Sequence, residues 1–468
     1  GGNLGFTQRG RVEAALAGVR LNTDAIDNSA GVDTSDHEVN IKILLGLALS
    51  DGELTEKQRN SLLPQLTDDV AALVLRDNYF QTQALSVTAR LGVSFIDQQA
   101  RFMRFLEKKG QLDRAIEYLP DDEEIPARQA RGIGLTRPEL AVLLAYSKMW
   151  LLDELMNSDL PEDPWIGAAL ERYFPQLLRE KFAAYIPSHP LKREITATYV
   201  LNSMVNRVGA TFVYRLTETT GATPSQVVRA YLATREVFGF VPLWRQIEAL
   251  DNQIDDSVQC EMLIVLGDLT ARATTWFLRS NRLIEPMARR LERFKPVVEL
   301  LRVQLEPVVT ASERFNAWVQ AGVPAPVAQQ VDSADGLFSA LDIAEVAAAT
   351  QRAVGDVAQV WSDVSALLPL DRLHQQINAL PSATYWDSLA RMALGRLIAE
   401  AVVRASGCDS AGAVDSSTPG GTARLAAWEA RCRHPIDRAQ RLLAELAESK
   451  SPDLAMLSVA LRELRNLG

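Results

Sequence analysis

The chain has 468 residues, of which 47% are hydrophobic and 23% charged, the balance of a globular protein and not of a disordered one. Its formal net charge of −10 makes nucleic acid a poor partner. The longest apolar stretch, residues 140–155, is broken by Ser147, Lys148, Asp153 and Glu154, so no membrane span is expected.

Length alone suggests roughly three domain-sized units. The cysteines Cys260, Cys408 and Cys432 lie far apart and show no metal-binding spacing, which points to free thiols in a reducing compartment and to no zinc site. No secretory leader is visible, and the cytoplasm is the expected location. The first residues read as the middle of a loop, which suggests a piece of a longer polypeptide.

In chain order, Gly1, Gly2 and Gly5 precede a short helical run at 12–17. Val19 and Leu21 alternate with polar residues, the pattern of a short strand. Asp27-Asn28-Ser29-Ala30-Gly31 reads as a loop. Ser35 with Glu38 has the spacing of a capping box, so a helix is expected to start there and carry the apolar run 39–49. Helix, strand, loop and helix make one unit of an α/β domain.

Beyond residue 50 the strand signals fade and helix starts recur. Thr55 with Gln58, Thr136 with Glu139, and Thr223 with Gln226 all fit the capping box, and Pro224 suits the first helical position. Apolar positions after these starts recur at helical spacing, as in Val200, Leu201, Met204, Val205, Val208 and Phe212. The expected class is therefore mainly α: a short α/β remnant over 1–49, a large multi-helix domain over 50–404, a Ser/Gly-rich loop over 405–422, and terminal helices over 423–468 that pack back on it.

Chemistry is concentrated in the first strip. From spacing alone Asn3 shapes a glycine turn, Asn28 is a loop residue tolerant of left-handed backbone, and Ser35 is an N-cap. Asp33, Asp36, His37 and Glu38 are metal-ligand types, but they sit too close in sequence to converge easily, and no metal is expected.

The same strip carries a resemblance. Gly1-Gly2-Asn3-Leu4-Gly5-Phe6-Thr7 resembles a Gly-Ala-Asn-Gly-Pro-Thr-Thr stretch of the glutamate dehydrogenases. The string from Asn22-Thr23-Asp24 through Asn28-Ser29-Ala30-Gly31-Val32 to Ser35-Asp36-His37-Glu38-Val39-Asn40 is similar to the large bacterial NAD-specific members. Gly134-Leu135-Thr136-Arg137-Pro138-Glu139-Leu140 resembles their helical C-terminal region.

The resemblance implies that the first strip closes a Rossmann-type, dinucleotide-binding catalytic domain. It implies NAD as cofactor, with Asn3 and Asn28 on the cofactor side of the cleft. It implies L-glutamate and 2-oxoglutarate as substrates, with Ser35 holding the distal carboxylate and Val32 lining the side-chain pocket. Ala30, Asp36 and His37 depart from the shorter relatives. The family's catalytic Lys and Asp are expected upstream, so no catalytic residue is assigned within the chain, which by itself should be inactive. A homo-oligomer is expected, without nucleic acid or membrane. The alternative is a non-enzymatic helical scaffold or oligomerisation module.

Overall fold

The computed structural model describes residues 5–280, 282–368, 430, 433–448 and 454–465. Among these it is mainly α-helical, with no strand. The chain divides into two compact units, Gly1–Leu232 and Ala233–Gly468. Asn3, the segment 405–422, and Cys408 and Cys432 lie outside the described residues.

The first unit begins with α1 (Gln8–Leu16), α2 (Asp24–Asp27), α3 (Ser29–Ser50) and α4 (Glu56–Leu62). It continues with α5 (Thr67–Leu91), α6 (Ile96–Lys108), α7 (Glu124–Ala130) and α8 (Arg137–Met156). Then come α9 (Pro164–Tyr173), α10 (Gln176–Lys181), α11 (Lys192–Val208) and α12 (Phe212–Thr220), while α13 (Pro224–Val237) has residues in both units.

Local chemistry accounts for several starts. Thr55 accepts from the Gln58 backbone N–H while Gln58 reaches back to the Thr55 N–H at 2.8 Å. Thr136 and Glu139 form the same reciprocal cap on α8, and Thr223 and Gln226 do so on α13.

Two expectations are corrected at the N-terminal end. The strand at residues 19–21 does not form: residues 19–23 have no regular structure and Val19 is exposed. A strand with no neighbour has nothing to pair its backbone groups with. The helix expected to begin at Ser35 begins at Ser29 instead, so Asp27-Asn28-Ser29-Ala30-Gly31 is a helix-to-helix junction. Asn78 of α5 holds that junction, donating to the Ile26 carbonyl at 2.7 Å and to Ser29 Oγ at 2.8 Å. A tertiary contact overrides weak local propensity here.

The core of this unit draws on distant stretches. Ile41, Leu44, Leu45, Ala48, Leu54, Leu62 and Leu66 form one buried cluster with Leu170, Tyr173, Phe174, Leu178, Phe182, Ile186 and Ile195. A second layer stacks Phe102, Phe105, Trp150 and Tyr214, with ring centroids 4.9–6.3 Å apart. Helix α8 is apolar over a wide arc because α1, α5 and α11 pack around it. No helix among the described residues is long and apolar enough to cross a membrane.

The second unit continues with α14 (Phe240–Glu248), α15 (Asp256–Arg279), α16 (Met287–Thr310), α17 (Glu313–Gln320) and α18 (Ala325–Asp332). It follows with α19 (Ala334–Leu337), α20 (Ala340–Thr350), α21 (Val354–Leu367), α22 (Arg433–Glu448) and α23 (Leu454–Arg465). Trp276, Phe277 and Phe294 meet edge to face at 5.3–5.5 Å, and the Trp276 indole donates to Asp342 at 2.8 Å. Cys260 is buried.

Candidate functional site

Helix α3 presents two contrasting faces. At 100° per residue, Val32, Ser35 and Val39 share one side, and His37, Ile41, Leu44 and Ala48 the opposite side. The first side is open: Val32 is 76% exposed, Val39 is 53% exposed, and Ser35 is exposed. The second is buried in the unit.

Ser35 Oγ donates to the Val32 carbonyl at 2.8 Å, inside the helix. Ser35 is therefore not an N-cap, and Glu38 closes no capping box; it pairs with Lys42 one turn on. Asn28 stands at the N-terminus of α3 with φ −119°, so left-handed backbone is not its reason for being there. Its amide donates to the Asp24 carbonyl at 3.2 Å. The N-terminus of α3, with its positive dipole end, thus lies beside Asn28, two turns before Ser35.

Behind the open face lies a polar cluster. Tyr173 donates to Asp36 Oδ2 at 2.8 Å and accepts from Asn40 at 2.9 Å, and its ring stacks on His37 at 4.4 Å. His189 Nδ1 accepts from the Leu191 N–H at 3.1 Å, so its Nε2–H is the group that donates to the Asn40 carbonyl, also at 3.1 Å. Burial holds both histidines below their usual pKa.

Asp33 of α3 and Asp77 of α5 face Lys148 of α8. Burial, reinforced by Asp77 and Asp36, pushes the Asp33 carboxyl up to about 6. Burial also raises Asp77, and it lowers Lys148 to about 8 against the attraction of both carboxylates.

Asp33, His37 and Asp77 each bring a ligand atom within 4.8 Å of the others. The spacing argument against convergence missed this because Asp33 and His37 are one turn apart and the third group comes from another helix. A divalent cation there would share the site with Lys148, whose ammonium form already supplies positive charge to the same two carboxylates.

Asp77, Lys148, Tyr173 and His189 were not expected. Only Lys148 left a signal, as a charge interrupting the apolar run 140–155.

Residues 132–466 match the family model described as glutamate dehydrogenase, C-terminal, and residues 1–88 match the bacterial NAD-glutamate dehydrogenase catalytic domain. Relatives named NAD-specific glutamate dehydrogenase are 41% identical in Pseudomonas aeruginosa, 40% in Halomonas elongata and 36% in Mycobacterium tuberculosis, each covering 100% of this chain. The chain spans 29% of the length of these relatives. With most of its length in the first match, the chain belongs to the glutamate dehydrogenase C-terminal family, and its first 88 residues match the catalytic domain of the bacterial NAD-dependent enzymes.

Proposed function

We propose that this chain supplies one wall of the glutamate cleft, and the helical region behind it, in an NAD-dependent glutamate dehydrogenase. The reaction converts L-glutamate, NAD⁺ and water to 2-oxoglutarate, ammonium, NADH and a proton. The observation that carries the reading is the open face of α3. Val32 and Ser35 stand side by side and unpacked, inside the part that matches the catalytic domain.

An exposed valine beside an exposed hydroxyl is a poor surface for water and a fitting one for glutamate's side chain. Val32 would cover its methylenes, and Ser35 Oγ would turn from the Val32 carbonyl to donate to the distal carboxylate. Asn28 fits the cofactor side: its Oδ1 makes no hydrogen bond among the described residues, and the α3 N-terminus adjoins it. Asn3 belongs to the same side by resemblance. NAD, when bound, supplies the hydride acceptor; the residues of this chain bind and orient. Catalytic acid–base groups are assigned to the rest of the full-length protein.

In this reading residues 1–49 are the edge of a dinucleotide-binding domain whose remainder belongs to the full-length protein. The following helices buttress it. The assembly is a cytoplasmic homo-oligomer, and the 468-residue chain by itself reduces no NAD.

Ser35→Ala in the full-length protein tests the reading. Loss of one hydrogen bond to a charged group, about 1.5–3 kcal/mol, lowers kcat/KM for glutamate roughly 10- to 100-fold. Unchanged kinetics would refute the assigned contact.

A further inference from the structure

We propose that Arg137, at the start of α8, is a positioning residue that sets the turn carrying Asn28 and leading into the Val32–Ser35 face. The proposal rests on the reading of that face given above and adds a residue from outside the catalytic-domain match.

The turn at residues 22–29 is gripped from three helices. Arg137 Nε donates to Asn22 Oδ1 at 3.0 Å. The other nitrogens of the same guanidinium donate to Ser86 Oγ at 2.8 Å and to the Thr82 carbonyl at 3.4 Å, both on α5. From α1, Arg11 donates to the Asn22 carbonyl at 2.8 Å and pairs with Asp24 and Asp27. From α5, Asn78 holds Ile26 and Ser29. Asn22 and Asp24 in turn touch Asp27 and Asn28, so the grip reaches the residue before α3.

Arg137 is itself held. Glu139 is fully buried and accepts from the Thr136 N–H at 2.6 Å and hydroxyl at 2.7 Å. It also meets Arg128 in a two-pronged pair at 2.8 Å. Just upstream, a Cβ at Gly134 would stand 2.7 Å from the Gly92 carbonyl carbon, so the two backbones touch where no side chain fits. The guanidinium thus projects from a fixed backbone, and its planar fork sets the direction of each bond it makes.

The test is steady-state kinetics with glutamate and NAD on the full-length protein, with thermal melting of every variant. The set is Arg137→Met, Arg137→Lys, Asn22→Ala, the double variant of Arg137→Met with Asn22→Ala, and Ser35→Ala. Arg137→Met is expected to lower kcat/KM for glutamate about 10- to 100-fold. Arg137→Lys recovers part of the loss, because lysine keeps the charge but not the fork. The double variant is no worse than the poorer single, since both remove one contact.

Losses that multiply in the double variant, or that simply follow melting temperature across the set, overturn the proposal. So does Arg137→Met with unchanged kcat/KM when Ser35→Ala loses activity. If neither variant changes kcat/KM, the reading of the α3 face falls as well. Should Arg137→Met fail to fold, Asn22→Ala leaves α8 intact and carries the same expectation; its unchanged kcat/KM overturns the proposal.

Discussion

Two polar assemblies in the first unit, one buried and one half-buried, balance their charges in opposite ways. Around Arg128, donors meet acceptors: Nε bonds Glu124 at 2.7 Å, and both terminal nitrogens bond Glu139, which also caps α8. Around Lys148, burial outweighs attraction. Its own pKa is lowered, those of Asp33 and Asp77 are raised, and His37 Nδ1 and Asn40 Oδ1 nearby have no hydrogen bond. The first assembly fixes a backbone junction. The second keeps an electrostatic cost, and it does so on the back of the helix whose front carries Val32 and Ser35. Saturated networks serve position, whereas an unsaturated one leaves proton affinity to be tuned by its surroundings.

The largest effect should come from breaking the saturated pair. Arg128→Met leaves Glu139 charged, buried and unpaired, and is expected to cost about 3–5 kcal/mol of stability in denaturant unfolding. Adding Glu139→Leu should recover much of that loss, although the α8 cap goes with it. A small loss on Arg128→Met alone would erase the contrast between the two assemblies.

The unsaturated cluster should instead show itself in pH dependence. The Asp33 carboxyl titrates near 6 in the folded chain, above its ordinary 3.8, so between those values the folded state binds more proton than the unfolded. Stability therefore falls as pH rises from about 4 to 6, by about 1–2 kcal/mol, and Asp33→Asn flattens that slope. Lys148 has the opposite sense: with its pKa lowered from 10.5 to about 8, the unfolded chain holds more proton over that window, and stability rises with pH through it. Lys148→Met should remove this second slope. The neighbouring charges are Asp36, Asp77 and Arg76, so each single variant shifts the other's midpoint.

His37→Phe is a smaller test. Phenylalanine keeps the stack on Tyr173 and removes the unpartnered Nδ1, so stability should stay within about 1 kcal/mol of the parent. The smallest stability effect belongs to the front of α3. Ser35→Ala should move unfolding by less than about 0.5 kcal/mol, because the side chain is exposed and bonds only its own helix. Its predicted kinetic loss would then be separable from folding.

The local parts of the fold were legible in the sequence. Thr55, Thr136 and Thr223 announced their helices because a cap is a contact between residues three apart, and the structure holds all three. Ser35 with Glu38 had the same spacing and misled, because α3 already starts after Asn28, at a junction that Asn78 of α5 holds through Ile26 and Ser29. The alternation at Val19 and Leu21 misled for a related reason: a strand is defined by its neighbour. Of the site, Val32 and Ser35 were picked out by resemblance, whereas Asp77 and Tyr173 reach α3 from helices that no local pattern ties to it.

The core cluster that joins Ile41, Leu44 and Leu66 to Leu170, Phe174 and Ile195 crosses the gap between the two family matches, which end and begin at residues 88 and 132. A family border here is not a folding border. Grafting the catalytic end of one relative onto the helical region of another at that gap would pair two halves of a core packed for different partners. Such recombinants should survive only between parents whose side-chain volumes match on both sides. The two segments are then bound to evolve in step.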